Sequence, residues 1–102
     1  MIEKSYISFS AFFKAFLNRT RFLIIESLKG GEKTVKQIQE ATGFEQSRVS
    51  HNLRRLERCG FIKHRRSGKN RIYSLDSDVK KIITNTGKYI SKYGDKLAAC
   101  SI

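Results

Sequence analysis

The feature that most constrains this chain is a short helix and a longer basic one, set on either side of a tight break near its middle. Thr34-Val35-Lys36-Gln37 has the spacing of a capping box, in which the Thr34 hydroxyl takes an orphan N–H of the first turn and Gln37 reaches back. The short helix that follows, Val35–Thr42, places Val35, Ile38 and Ala41 inward, and Gly43 closes it. After Phe44-Glu45-Gln46-Ser47 a second helix runs to about Arg58. Its Val49, Leu53 and Leu56 are spaced four and three apart and face a core, and Gly60 stops it. The short helix braces the longer one, whose remaining residues are polar or basic.

The chain holds no proline, so its other breaks come from glycine, caps and polar clusters. About Ser5–Phe16 the spacing of Phe9, Phe12, Phe13 and Phe16 is helical and puts the rings on one stripe. That is more apolar area than one side of a small core needs, and core packing and a dimer surface both remain open for it. Asn18 is a good N-cap for Arg19–Lys29, where Phe22, Leu23, Ile24, Ile25 and Leu28 mark a central buried helix ended by Gly30-Gly31. Phe61–Arg66 and Arg71–Leu75 read as two strands around Ser67-Gly68-Lys69-Asn70, a hairpin with a basic tip. Asp76-Ser77-Asp78 caps a last helix, about Ser77–Ala98, in which Val79, Ile82, Ile83, Thr86, Ile90, Tyr93 and Leu97 recur every three or four residues.

With little core left to cover, this last helix is the natural partner of the phenylalanine-rich first one. Phe9, Phe12, Phe13, Ile82, Ile83, Ile90, Tyr93 and Leu97 are the candidate dimer interface. The expected fold is mainly α with a small β-hairpin: a single winged helix-turn-helix domain over residues 1–102. Within it, 1–17 and 77–98 are dimerisation helices, 34–59 the helix-turn-helix and 61–75 the wing.

Charge gives the fold a use. The 102 residues carry a net charge of +12, which repels the chain from itself unless it meets something anionic. Between Glu45 and Arg71 there are nine Lys and Arg against two acids, Glu45 and Glu57, so +7 of that charge lies in the basic helix and the hairpin. The helix is expected to enter a DNA major groove, which is wide enough to admit it. There Arg48 suits guanine O6/N7 and Gln46 suits adenine, while Ser47, Ser50 and His51 bond base edges or phosphates. Asn52, Arg54 and Arg55 are expected on the sugar-phosphate backbone. The wing brings Lys63, Arg65, Arg66, Lys69 and Arg71 toward phosphates or a minor groove.

Residues 13–25, from Phe13-Lys14-Ala15-Phe16 through Thr20-Arg21-Phe22-Leu23, resemble the FKALSDPTRLRIL opening of the ArsR family of transcriptional regulators. Gln46-Ser47-Arg48-Val49-Ser50-His51 and the residues on to Ile62 resemble that family's QSTVSHHLKVLREAGLV, and Gly68 to Tyr73-Ser74-Leu75 its wing ending. The resemblance covers roughly residues 10–98. It implies a dimer built from the first and last helices, each recognition helix entering one half of an inverted-repeat operator, with repression as the family default. Asn18-Arg19 stands where the family has Asp-Pro, and Asn52 where it has a second histidine. Metal-sensing members carry a cysteine pair in or before the short helix, or Asp and His on the last helix. Here Thr34–Glu40 has no cysteine and the last helix no histidine, so neither metal site is expected.

Cys59 and Cys100 are too few for a disulfide framework. Cys59, at the end of the basic helix, is expected as a buried small side chain; a redox switch with Cys100 is the alternative. Nothing resembles a Ser/His/Asp set, a phosphate-cradling glycine loop or paired carboxylates, so neither an enzyme nor a cofactor is expected. No apolar run approaches the roughly 20 residues that span a bilayer, and the start lacks the layout of a signal peptide. A cytoplasmic protein with no membrane partner is therefore expected, its small-molecule effector unknown. Two other functions remain open: a winged-helix module that docks on another protein, and a general nucleic-acid binder, chromatin-like or RNA-binding.

Overall fold

The computed structural model describes residues 2–100. Five helices and three strands follow in the order α1 (Ile2–Phe16), α2 (Arg19–Leu28), β1 (Lys33–Thr34), α3 (Val35–Thr42), α4 (Gln46–Arg58), β2 (Ile62–Ser67), β3 (Asn70–Leu75) and α5 (Ser77–Ala99). The expected winged helix-turn-helix is present, with an addition. β1 pairs antiparallel with β3, Lys33 opposite Tyr73 and Thr34 opposite Ile72, so the hairpin is part of a three-stranded sheet ordered β1-β3-β2. Two residues are too few to show an alternating pattern, and the Thr34 cap conceals the strand it closes.

The caps form as their spacing requires. Thr34 Oγ1 accepts from the Gln37 backbone N–H at 3.2 Å, and Gln37 Oε1 accepts from the Thr34 N–H at 2.9 Å. Asn18 Oδ1 accepts from the Arg21 N–H at 3.0 Å, and an Asp76 carboxylate oxygen accepts from the Asp78 and Val79 N–H groups. Gly43 ends α3 at φ +78°, a conformation that costs other residues a Cβ clash. In the hairpin, Ser67 faces Asn70, leaving a two-residue turn in which Gly68 has φ +63°. A positive φ at the first central residue alone is the mark of a type II′ turn, which wants glycine there.

The core draws on every layer: Ile24, Ile25 and Leu28 of α2, Ile38 of α3, Val49, Leu53 and Leu56 of α4, and Phe61, Ile62, Tyr73, Leu75 and Val79 beyond. Three expected inward residues lie outside it. Ala41 is exposed on α3, Leu23 is only half-buried, and Phe22 turns out of α2 to line a groove against α5. The phenylalanine stripe divides in two. Phe12 and Phe16 pack on Phe61 with ring centroids 5.3 and 5.4 Å away, whereas Phe9 and Phe13 stay 62% and 50% exposed. The helix starts earlier than expected, at Ile2, and α5 bends at Tyr93, whose φ of −123° leaves the helical range next to Gly94. No helix among the described residues is long and apolar enough to cross a membrane.

Candidate nucleic-acid interface

Helix α4 buries Val49, Asn52, Leu53 and Leu56. At 100° per residue the opposite, outermost ridge carries Ser47, His51, Arg54 and Arg58, flanked by Gln46 and Ser50 on one side and by Arg48 and Arg55 on the other. The wing stands beside the Gln46 flank. Thr34, Lys36, Gln46, Ser50, Arg54, Lys69 and Arg71 line an open polar groove of about 340 Å³ between α3, α4 and the hairpin. Four of these residues are cations and none is an acid. Lys36 lies outside the basic helix and wing, so clustering of charge along the chain does not single it out; the α3 cap brings it to the groove.

Strand register sorts the wing cations. Ile62, His64 and Arg66 oppose Leu75, Tyr73 and Arg71, and these six share one face, because alternate residues of a strand point the same way. That face looks toward α4: Ile62, Tyr73 and Leu75 are buried, and His64 Nδ1 lies 2.6 Å from Glu57 Oε2. The His64 ring also packs on Tyr73 of the same sheet at 5.4 Å, and its contact with Glu57 ties the wing root to α4. Near the tip Arg66 and Arg71 face each other directly, like charges that oppose pairing, with no ion pair to either among the described residues.

Lys63 and Arg65 lie on the opposite face. Arg65 is already engaged: its Nη2 donates to Glu32 Oε1 at 2.6 Å. This hydrogen bond and the attached charge hold the Glu32 carboxyl below the ordinary carboxylate range and raise Arg65 above its own.

Three expected DNA-facing residues of α4 are placed differently. Asn52 is not on the outer surface: it is buried, and its Nδ2 donates to the Arg48 carbonyl at 2.8 Å. Arg48 is exposed, but its side chain is turned toward α2. Its Nε and Nη2 donate to Thr20 Oγ1 at 3.1 and 2.6 Å, and its Cζ sits 4.2 Å from the centre of the Phe44 ring. Arg55 is exposed but lines a separate cavity of about 260 Å³ with Lys14, Arg21 and Cys59. At 100° per residue Asn52 falls within the buried arc, 40° from Leu56, so helical period already argues against an outward Asn52; for Arg48 and Arg55, on the polar side, only the positions of α1 and α2 show the partners. Ser47 Oγ donates to Glu45 Oε1 at 3.2 Å, while Gln46, His51 and Arg54 are exposed.

Cys59 is exposed, contrary to the buried side chain expected, since the α4 end carries it past the core. Cys100 is exposed as well, and both thiols are free. Among the described residues no group of three or more His, Cys, Asp or Glu is arranged to hold a metal ion.

Of the candidate dimer residues, Phe9, Phe13, Ile82, Ile90 and Leu97 are exposed, while Phe12, Ile83 and Tyr93 are half-buried within the protomer. Tyr6, Ile7, Leu17 and Tyr89 extend the exposed apolar surface beyond the residues that spacing selects.

Residues 18–64 match the model of the arsR family of bacterial regulatory proteins. The chain is 37% identical over 71 residues to the HTH-type transcriptional regulator NmtR of Mycobacterium tuberculosis, covering 69% of this chain and 59% of that protein. It is 38% identical over 64 residues to a probable mercury resistance operon repressor of Streptomyces lividans, covering 63% of this chain and 51% of that one. It thus spans little more than half the length of these two relatives. With the transcriptional repressor SdpR of Bacillus subtilis it shares 36% identity over 67 residues, 66% of this chain and 74% of that one. Among solved structures, Rv0081 of M. tuberculosis superposes with a TM-score of 0.81 at 26% identity, covering 91% of this chain and 95% of that one. The homodimeric winged helix-turn-helix domain of Mb0332 from Mycobacterium bovis superposes with a TM-score of 0.77 at 26% identity, covering 90% of this chain and 86% of that one. Motif, fold and relatives agree: the chain belongs to the ArsR family of winged helix-turn-helix regulators.

Proposed function

We propose that this chain binds double-stranded DNA as a homodimer and represses transcription from an inverted-repeat operator. The observation that carries this reading is the convergence on one face of cations with no ion-pair partner among the described residues. Arg54, Lys69 and Arg71 surround the polar Gln46 and Ser50, and the Arg66–Arg71 juxtaposition lacks a counter-charge that a phosphate would supply. Ser47, Ser50 and His51 are assigned to base edges or phosphates, and Gln46 to adenine in the major groove. Arg54, Lys69, Arg66 and Arg71 are assigned to phosphates. Lys63 and Arg65, on the outer face of the wing, add long-range attraction rather than direct bonds.

The dimer is assigned to the exposed apolar faces of α1 and α5, chiefly Phe9, Phe13, Ile82, Ile90 and Leu97. Mb0332, described as homodimeric, supports this assignment. Two recognition helices related by a dyad would reach half-sites about one helical turn, ~34 Å, apart. The reading includes no metal-sensing site of the familiar kinds: Thr34–Glu40 lacks cysteine and α5 lacks histidine.

The test is selection from genomic DNA fragments at two salt concentrations, with the mass of the protein in solution recorded. Enrichment of an inverted repeat by a dimer is expected. Sequence-blind binding that disappears with salt would reject the operator and leave only a basic surface. Within an enriched operator, Gln46→Ala is expected to relax preference at one position at a cost of about 1–3 kcal/mol.

A further inference from the structure

Among the described residues two polar side chains are buried, Thr20 and Asn52, at 7% and 9% exposure, and both are bonded to Arg48. Asn52 Nδ2 donates to the Arg48 carbonyl, and the Thr20 hydroxyl oxygen accepts from Arg48 Nε and Nη2, 28 residues away in sequence. The Phe44 ring, in the turn before α4, lies under the guanidinium at 4.2 Å. One residue of α4 is thus gripped from α2, from the turn and from within its own helix.

We infer that Arg48 is a positioning residue of the recognition helix: it sets the pose of α4 on α2 through Thr20 and does not read a base. This rests on the DNA-binding reading above. Reading guanine with two donors would use the Nε–Nη2 edge or an equivalent fork. Arg48 is exposed, but its Nε–Nη2 edge is occupied by Thr20, and swinging the guanidinium outward to a base would strip a buried hydroxyl of its donor and a cation of its aromatic floor.

The neighbouring residue extends the grip. Arg21 Nε donates to the Ala15 carbonyl and Arg21 Nη2 to the Lys14 carbonyl, both at 3.2 Å, so the first turn of α2 also holds the end of α1. Thr20 and Arg21 therefore set the recognition helix relative to the helix assigned to the dimer interface. This geometry must be correct for two α4 helices to reach two half-sites at once. Base discrimination then falls to Gln46, Ser47, Ser50 and His51.

The experiment compares Thr20→Val, Thr20→Ser, Arg48→Ala and Arg48→Lys on the selected operator, with amide hydrogen exchange of α4 in the free protein as a second readout. Thr20→Val and Arg48→Ala are each expected to weaken operator binding about tenfold, and the double variant no more than either alone. Preference should fall evenly across positions, the salt slope should stay unchanged, and α4 exchange should quicken. Thr20→Ser keeps the acceptor and should bind as wild type. Arg48→Lys keeps the charge but not the two-point grip and should resemble Arg48→Ala, which leaves a test even if Thr20→Val fails to fold. Wild-type affinity in Thr20→Val or Arg48→Lys would overturn the inference, as would loss of preference at a single base pair in Arg48→Ala. If wild type shows no sequence preference at all, the proposed function fails instead. Exchange then decides the positioning role of Arg48 by itself: unchanged α4 protection in Thr20→Val and Arg48→Ala overturns it.

Discussion

Replacing Arg71 by Gln should make the protein more stable and a poorer DNA binder. Arg71 lies directly across from Arg66 near the wing tip, without an ion-pair partner among the described residues. Cross-strand charge pairs are worth roughly 0.2–1 kcal/mol, and like charges cost a similar amount. Both guanidiniums are in water, so the lower part of that range applies, about 0.3–0.5 kcal/mol. For a domain of this size 1 kcal/mol shifts Tm by about 4–8 °C, so the expected gain is about 1–4 °C. It should be present near 0.01 M salt, where the Debye length is about 30 Å, and absent at 1 M, where it is about 3 Å. Each phosphate that the protein no longer neutralises lowers the slope of log affinity against log salt by ~0.9, hence by ~1.8 for a dimer with one such phosphate per protomer. Calorimetric or optical melting and fluorescence anisotropy across a salt series measure the two effects. A Tm that does not rise at low salt would refute the repulsion, and an unchanged salt slope would refute the bond to phosphate.

Leu53→Ala, at a fully buried α4 position, should lower the unfolding free energy by about 2–5 kcal/mol in urea denaturation. Ile90→Asp places a charge on the exposed face of α5 and should shift sedimentation to monomer and lower Tm by the stabilisation that dimerisation supplies; an intact dimer would reject the interface assigned to α5. Because Arg65 holds the Glu32 carboxyl below its unfolded value, the contribution of that pair is full above about pH 4.3 and is lost as pH falls through the lowered value. In Glu32→Gln that segment of the pH–stability curve should flatten. DNA affinity should rise only modestly, since the Arg65 released lies on the outer face of the wing; a large rise would place Arg65 in the interface.

Much of the fold was legible because its signals are local. The Thr34–Gln37 box, the Asn18 and Asp76 caps, the Gly43 stop and the Gly68 turn each act within a few residues, and the Val49-Leu53-Leu56 spacing names the buried side of α4 by helical period alone. The placement of surplus positive charge in α4 and the wing is likewise a property of the sequence, as is the repeat of apolar residues on α1 and α5. Which polar side chains of α4 have partners in the protein required the tertiary structure. Arg48 carries the same pattern signal as Ser50 and Arg54, and its side chain differs because Thr20 and Phe44 arrive from elsewhere in the chain to meet it. The two-residue β1 exists only because β3 passes alongside it. The split of the wing cations into two faces follows from strand register, which a hairpin sets when its turn closes. A periodic pattern tells a helix which side to bury, whereas the partner of an individual side chain depends on where distant helices come to rest.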